Sequence, residues 1–172
     1  MNRYLLYIML VPLLASAGIQ ERVDALLLAR HGKVQTRFEK YSLKPALKKE
    51  IESKSKQRFL KDFVFLWKIE TDTSGQRLAI VDAVRAKSAF ITMMATFDST
   101  DHVVGIDILD YNGDHGRKVM NSNWLAQFTG KGAESELVIG NDVDAVTGAT
   151  FSAAAISKAV KRWALLAQHI EH

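Results

Sequence analysis

Two periodicities divide this chain. Between positions 63 and 109, apolar, aromatic and β-branched residues gather in four short runs: 63–69, 78–84, 90–97 and 103–109. Small polar stretches such as Thr73-Ser74-Gly75 and Asp98-Ser99-Thr100-Asp101 separate them. Residues of this kind suit a pleated, half-buried surface, so each run predicts a strand. Connections this short join neighbouring strands head to tail, which predicts an antiparallel sheet. Outside these runs the spacing lengthens. Leu43, Leu47 and Ile51 recur every four residues and predict a helix ending near Lys56, with Ser42 as its cap and Pro45 in its first turn. A moderately apolar stretch over 19–30 predicts a short helix. Two more helices are expected, near 123–128 and from about Ser152 to His169. No repeat, low-complexity tract or long linker divides the chain, so the pattern predicts one α+β domain, an antiparallel sheet packed with helices.

The first residues follow a different logic. Met1-Asn2-Arg3 is short and positive, residues 4–14 are apolar, and Ala15-Ser16-Ala17 places small side chains where a signal peptidase reads. This is the pattern of an export signal, with cleavage expected after Ala17 and an extracytoplasmic or periplasmic destination. About eleven apolar residues fall well short of the roughly twenty that a spanning helix needs. An uncleaved segment tethering the chain to a membrane is therefore the lesser expectation. The boundaries expected are 1–17 for the signal, 18–42 for an N-terminal extension containing a short helix, and 43–172 for the functional domain.

Composition narrows the chemistry. The 172 residues carry a formal charge of +4, and loss of Arg3 with the signal leaves +3. No block of Lys and Arg is interleaved with aromatics, which argues against a nucleic-acid partner. Lys44, Lys48, Lys49, Lys54 and Lys56 alternate with Glu50 and Glu52 and read as a solvated helix face. The chain has no Cys. That excludes disulfides, thiol catalysis, cysteine-bound iron–sulfur clusters and a lipoprotein anchor. Electron transfer by this chain therefore calls for an organic cofactor. His102 and His115 lack a second ligand pattern, and neither Asp72 nor Asp82 sits in a paired acid–base arrangement.

The most informative segment is Asp144-Ala145-Val146-Thr147-Gly148-Ala149-Thr150-Phe151-Ser152, which leads into an Ala-rich helix. Small and hydroxyl-bearing residues at a loop-to-helix junction leave backbone N–H groups open. The first turn of a helix also carries unpaired donors and a partial positive charge, an arrangement that suits a phosphate. The same string is ordinary capping chemistry as well, with Thr150 or Ser152 as N-cap and Gly148 supplying a turn.

The string resembles the flavin-attachment motif of the FMN-binding domain family, an Asp followed by Ser/Thr-Gly-Ala-Thr. That family includes the C subunit of sodium-pumping NADH:quinone reductases and the G subunit of the Rnf complex. The segment upstream extends the resemblance: Tyr111-Asn112-Gly113-Asp114-His115-Gly116, then Val119, then Trp124-Leu125-Ala126-Gln127-Phe128-Thr129-Gly130-Lys131. Lys131 precedes Asp144 by thirteen positions. More loosely, the likeness reaches back to about Leu43. Relatives in respiratory complexes have Thr-Pro-Gly-Leu-Gly where this chain has Asp114-His115-Gly116-Arg117. The Glu of the secreted branch falls at Gly113 or Asp114.

The resemblance implies FMN as cofactor, joined by a phosphoester to Thr150. A separate Mg-dependent flavin transferase would install it from FAD, because a Thr hydroxyl is a poor nucleophile with no built-in base in the sequence nearby. Thr147, Gly148 and Ala149 would present that hydroxyl, and Asp144 would serve transferase recognition or cap the turn. Lys131 or Lys158 and the helix start would stabilise the phosphate, with Ser152 in the same turn. Trp124, Phe128 and Phe151 are candidates to meet the isoalloxazine ring, although aromatics at such spacings are more often core. The function implied is an exported electron carrier between a membrane reductase and a second redox protein, rather than an independent enzyme. The alternative is a non-covalent flavin-binding or interaction module on the same fold.

Overall fold

The computed structural model describes residues 5–32, 34–71 and 75–171, with side chains from Gly18 onward. Its elements in chain order are α1 (Leu5–His31), β1 (Gln35–Ser42), α2 (Pro45–Ser55), β2 (Phe63–Thr71), β3 (Gly75–Ala86), β4 (Ala89–Phe97), β5 (Val103–Asn112), α3 (Ser122–Leu125) and α4 (Thr150–Ala167). Short 3-10 turns at Arg117–Met120 and Ala126–Phe128 flank α3. The fold is α+β. Five strands form one sheet in the order β1-β2-β3-β4-β5, each antiparallel to its neighbour.

The sheet is covered on both faces, and the alternation of side chains along each strand sorts residues between them. Leu66, Leu78, Ile80, Val84, Ile91, Met93 and Ala95 belong to the larger core, shared with α2 and α4. In α4 the buried face is built from Ala153, Ile156, Ala159, Val160, Trp163, Ala164 and Ala167. Its alanines bring the helix backbone close to the sheet, and Trp163 fills the remaining depth with no exposed surface. Trp67, Ile69, Ala79, Val81 and Met94 point to the opposite face and pack on Val23 and Leu27 of α1. Two polar ties fix that helix: the Trp67 indole donates to Asp24 at 2.8 Å, and the Arg30 guanidinium grips both oxygens of Asp107 at 2.6 Å.

One ion pair is buried in the larger core. Arg162 of α4 donates to Asp82 of β3 at 3.1 Å, donates to the carbonyl of Arg58, and lies 4.2 Å from the centre of the Phe59 ring. Burial pushes the Asp82 carboxyl up from its ordinary value, and Arg162 with the Ala83 N–H only partly offsets this. Burial brings the Arg162 guanidinium down to about 10 despite Asp82.

The four expected strands are present, each within a few residues of its run. The N-terminal extension differs from expectation. Beyond a helix it contributes β1, whose residues are nearly all exposed at the sheet edge. Gln-Thr-Arg-Phe-Glu-Lys-Tyr-Ser has too few apolar residues to signal a strand, and pairing with β2 supplies what composition does not. Ser42 therefore ends β1 and does not cap α2. Lys44 occupies the N-cap without a side-chain cap, and Pro45 opens the helix as expected. The turn expected at Thr73-Ser74 and Asp72 lie outside the described residues. So does the export signal expected over 1–17, which rests on residues 1–4 and on side chains up to Ala17. Among the described residues, no helix is long and apolar enough to cross a membrane.

Candidate functional site

The 144–152 segment is anchored where it begins, ahead of α4. Ahead of it, Asp142 accepts from the backbone N–H groups of Leu137 at 2.8 Å and Val138 at 2.5 Å. Burial alone would raise the Asp142 carboxyl, but these backbone donors and Lys131 outweigh it and hold it below its ordinary value. Asp144 itself is clamped through its backbone. Its N–H donates to the Gln127 side chain and its carbonyl accepts from the Trp124 indole, each at 2.9 Å. The Trp124–Gln127 pair thus fixes the entry to the motif and leaves the Asp144 carboxylate at the surface.

The chain then turns. Ala149 donates to the Val146 carbonyl at 2.9 Å, closing a four-residue turn in which Gly148 has φ +80. A Cβ on Gly148 would meet nothing within 4 Å, so its backbone conformation and not crowding requires glycine here. Ala149 is the N-cap of α4, and no side chain caps the helix. The capping roles considered for Thr150 and Ser152 are therefore not adopted. Thr150 is the first helical residue and is exposed. Ser152 is buried, and its hydroxyl lies 2.7 Å from that of Tyr111. The Tyr111 hydroxyl in turn donates to the His115 carbonyl at 2.6 Å, so the shared proton comes from Ser152. Gly116, at φ +88, makes this junction possible: a Cβ there would sit 2.5 Å from Ser152 Oγ and 2.6 Å from Tyr111 Oη.

Two cavities flank the motif. One of about 270 Å³ lies between the β3–β4 turn and the start of α4, and its walls include Lys87, Ser88, His115, Gly148, Thr150 and Phe151. The other, about 630 Å³ and open, is lined by Arg117, Lys118, Asn121, Trp124, Asp144 and Thr147, among others. Small-molecule sites typically span about 300–1,000 Å³, and the pair brackets the lower part of that range.

Residues 87–165 match the FMN-binding domain family. The chain carries an FMN-binding domain. FMN is its cofactor, and the matched stretch runs from the β3–β4 turn through most of α4. No curated protein matches the chain.

The groups present in this FMN-binding domain fit that cofactor. The uncapped start of α4 offers backbone donors to a phosphate. The smaller cavity combines apolar walls from Ala86, Ala89 and Phe151 with the cation of Lys87, as a largely apolar heterocycle with a polar edge requires. Of the residues singled out from sequence, Gly148, Ala149, Thr150, Phe151 and Ser152 line one cavity, and Trp124, Asp144 and Thr147 line the other. Two are engaged elsewhere. Lys131 lies 3.8 Å from Asp142 and lines neither cavity. Phe128 is wholly buried and meets Trp124 edge-on, ring centres 5.3 Å apart. Ser152 borders the smaller cavity but is buried, its hydroxyl against that of Tyr111. Lys158 is exposed farther along α4. His115 is exposed and shares the smaller cavity, whereas His102 lies 3.6 Å from Glu134. Among the described residues, no cluster suited to a metal ion is found.

Lys87, Ser88, Tyr111 and Gly116 were not singled out from sequence as site residues. Lys87 is 63 positions from Thr150 in the chain, and only the sheet brings its turn to α4. Tyr111 lies just past the strand expected over 103–109, and its role shows only when its hydroxyl is seen against Ser152.

Proposed function

We propose that this domain carries FMN covalently, as a phosphoester on Thr150, and relays electrons between a membrane reductase and a second redox protein outside the cytoplasm. The observation that carries the reading is the exposed Thr150 at an uncapped helix start, inside a chain of the FMN-binding domain family. When bound, the flavin supplies electron transfer in steps of one or two. The remaining work belongs to the chain's own residues. Trp124 and Gln127 fix the backbone of Asp144, Gly148 turns the chain outward, and the Tyr111–Ser152 contact holds the first turn of α4.

Attachment needs an outside enzyme. In the reaction, a bond forms between Thr150 Oγ and the flavin-side phosphorus of FAD. The pyrophosphate bond breaks, AMP leaves, and the hydroxyl proton passes to a base of the Mg-dependent transferase. An exposed Thr with a small residue on either side of Gly148 admits such an enzyme's cleft. A covalent bond also keeps the cofactor from being lost by dilution outside the cell.

The test is co-production with a flavin transferase. The parent should gain the mass of one FMN less one water, and its yellow colour should survive denaturation. Thr150→Ala should lose the adduct, and Thr147→Ala should retain most of it. Colour that denaturant releases from an unmodified chain would favour non-covalent binding and sink the attachment. Export is tested on secreted protein by N-terminal sequencing, with Gly18 the expected start and an intact Met1 in the membrane fraction the contrary result.

A further inference from the structure

We infer that Lys87, with Phe151 beside it, forms the wall that meets the flavin ring in this chain, so that a lysine on the β3–β4 turn sets the charge the ring experiences. The inference rests on attachment at Thr150, since it assigns the tethered ring to the smaller of the two flanking cavities. Three observations converge on Lys87. It lines the cavity of about 270 Å³ on which Thr150 opens, as does Phe151. Its ammonium lies 5.0 Å from the centre of the Phe151 ring, and Phe151 is 62% exposed, an aromatic with no core to belong to. Its backbone is also costly. Ala86 pairs with Ala89, leaving a two-residue turn in which Lys87 has φ +44.

Turns of this kind favour Asn, Asp or Gly, because a side chain in the left-handed region crowds its own carbonyl. A lysine here weakens the turn, and strain of this sort clusters at active sites and ligand clamps. Among the described residues, no ion pair involves Lys87, so a structural salt bridge does not account for it.

The chemical consequence is electrostatic. A flavin that accepts two electrons from a reductant and one proton from solvent gains one negative charge. A cation fixed at the wall of a partly enclosed cavity favours that reduced form. Lys87 therefore raises the midpoint potential of the attached flavin, and Phe151 shields the ring from solvent.

The experiment uses the full chain co-produced with a flavin transferase, with intact mass read first and the potential then measured by spectroelectrochemistry. Lys87→Gly is the principal variant, because glycine accepts φ +44 and its melting temperature should match or exceed the parent's. It should be fully labelled, with a lower midpoint potential. Lys87→Met should behave alike, Lys87→Arg should keep the parent potential, and Lys118→Met, in the other cavity, should leave it unmoved. Phe151→Ala should increase quenching of flavin fluorescence by iodide. Labelled Lys87→Gly with the parent's potential would overturn the inference while leaving attachment intact. A shift in Lys118→Met alone would do the same and place the ring across the loop. A parent that gains no FMN mass would remove the basis of both.

Discussion

Gly148 and Gly116 both have positive φ, yet a methyl group would meet different surroundings at each. At Gly148 the space is open, so Gly148→Ala should cost only backbone strain, about 1 kcal/mol. At Gly116 the same strain is joined by collisions with the two hydroxyls of Tyr111 and Ser152, and Gly116→Ala should cost about 3 kcal/mol. Urea denaturation of the two variants checks the difference, and equal losses would show that the junction yields easily. Asp142 gives a pH-dependent counterpart. Its folded value lies below the ordinary 3.8. Its contribution is therefore full above pH 3.8 and is lost as pH falls through the depressed value. Asp142→Asn should destabilise the domain by about 1–2 kcal/mol at neutral pH, with the gap to the parent closing under acid.

Between elements, the buried Arg162–Asp82 pair joins α4 to β3 and so links the motif's helix to the sheet. Both groups are unfavourably shifted by burial, which means that the pair is expensive to bury and worse to break. Asp82→Ala leaves the guanidinium without its carboxylate and should cost about 3–5 kcal/mol. Replacing both, as Asp82→Leu with Arg162→Met, should recover most of that loss. A double-mutant cycle in urea decides it. A small loss in Asp82→Ala with a larger one in the double variant would show that Arg162 is held mainly by the Arg58 carbonyl and the Phe59 ring.

The molecule as a whole depends on a helix outside the stretch that matches the family. α1 covers the sheet face opposite α4, and without Val23 and Leu27 the side chains of Trp67, Ile69, Val81 and Met94 would lie open to water. Leu27 is 1% exposed, so Leu27→Ala should cost about 2–5 kcal/mol, the usual range for a buried leucine truncated to alanine. Thermal melts check this. A change below about 1 kcal/mol would mean that α1 is a loosely held cover.

Local chemistry in the sequence determined a good deal. The strand runs, the helix opened by Pro45 and the Ala-rich helix after the motif follow from periodicity, turn residues and short-range hydrogen bonding, which act within a few residues, although the helix begins at Thr150 and not at about Ser152. Gly148 belongs with them, because its turn is closed three residues apart. Tertiary structure decided what depends on partners distant in the chain. The exposed, charged sequence of β1 became a strand only because β2 offered its edge. Phe128 turned to the core while Trp124 took the Asp144 carbonyl, a choice between two similar aromatics that packing alone makes. Lys131 went to Asp142, and Lys87 came to the motif across the β3–β4 turn. Each is a side chain whose reach is known from its type but whose neighbours are set by sheet register and helix packing, which no local pattern encodes.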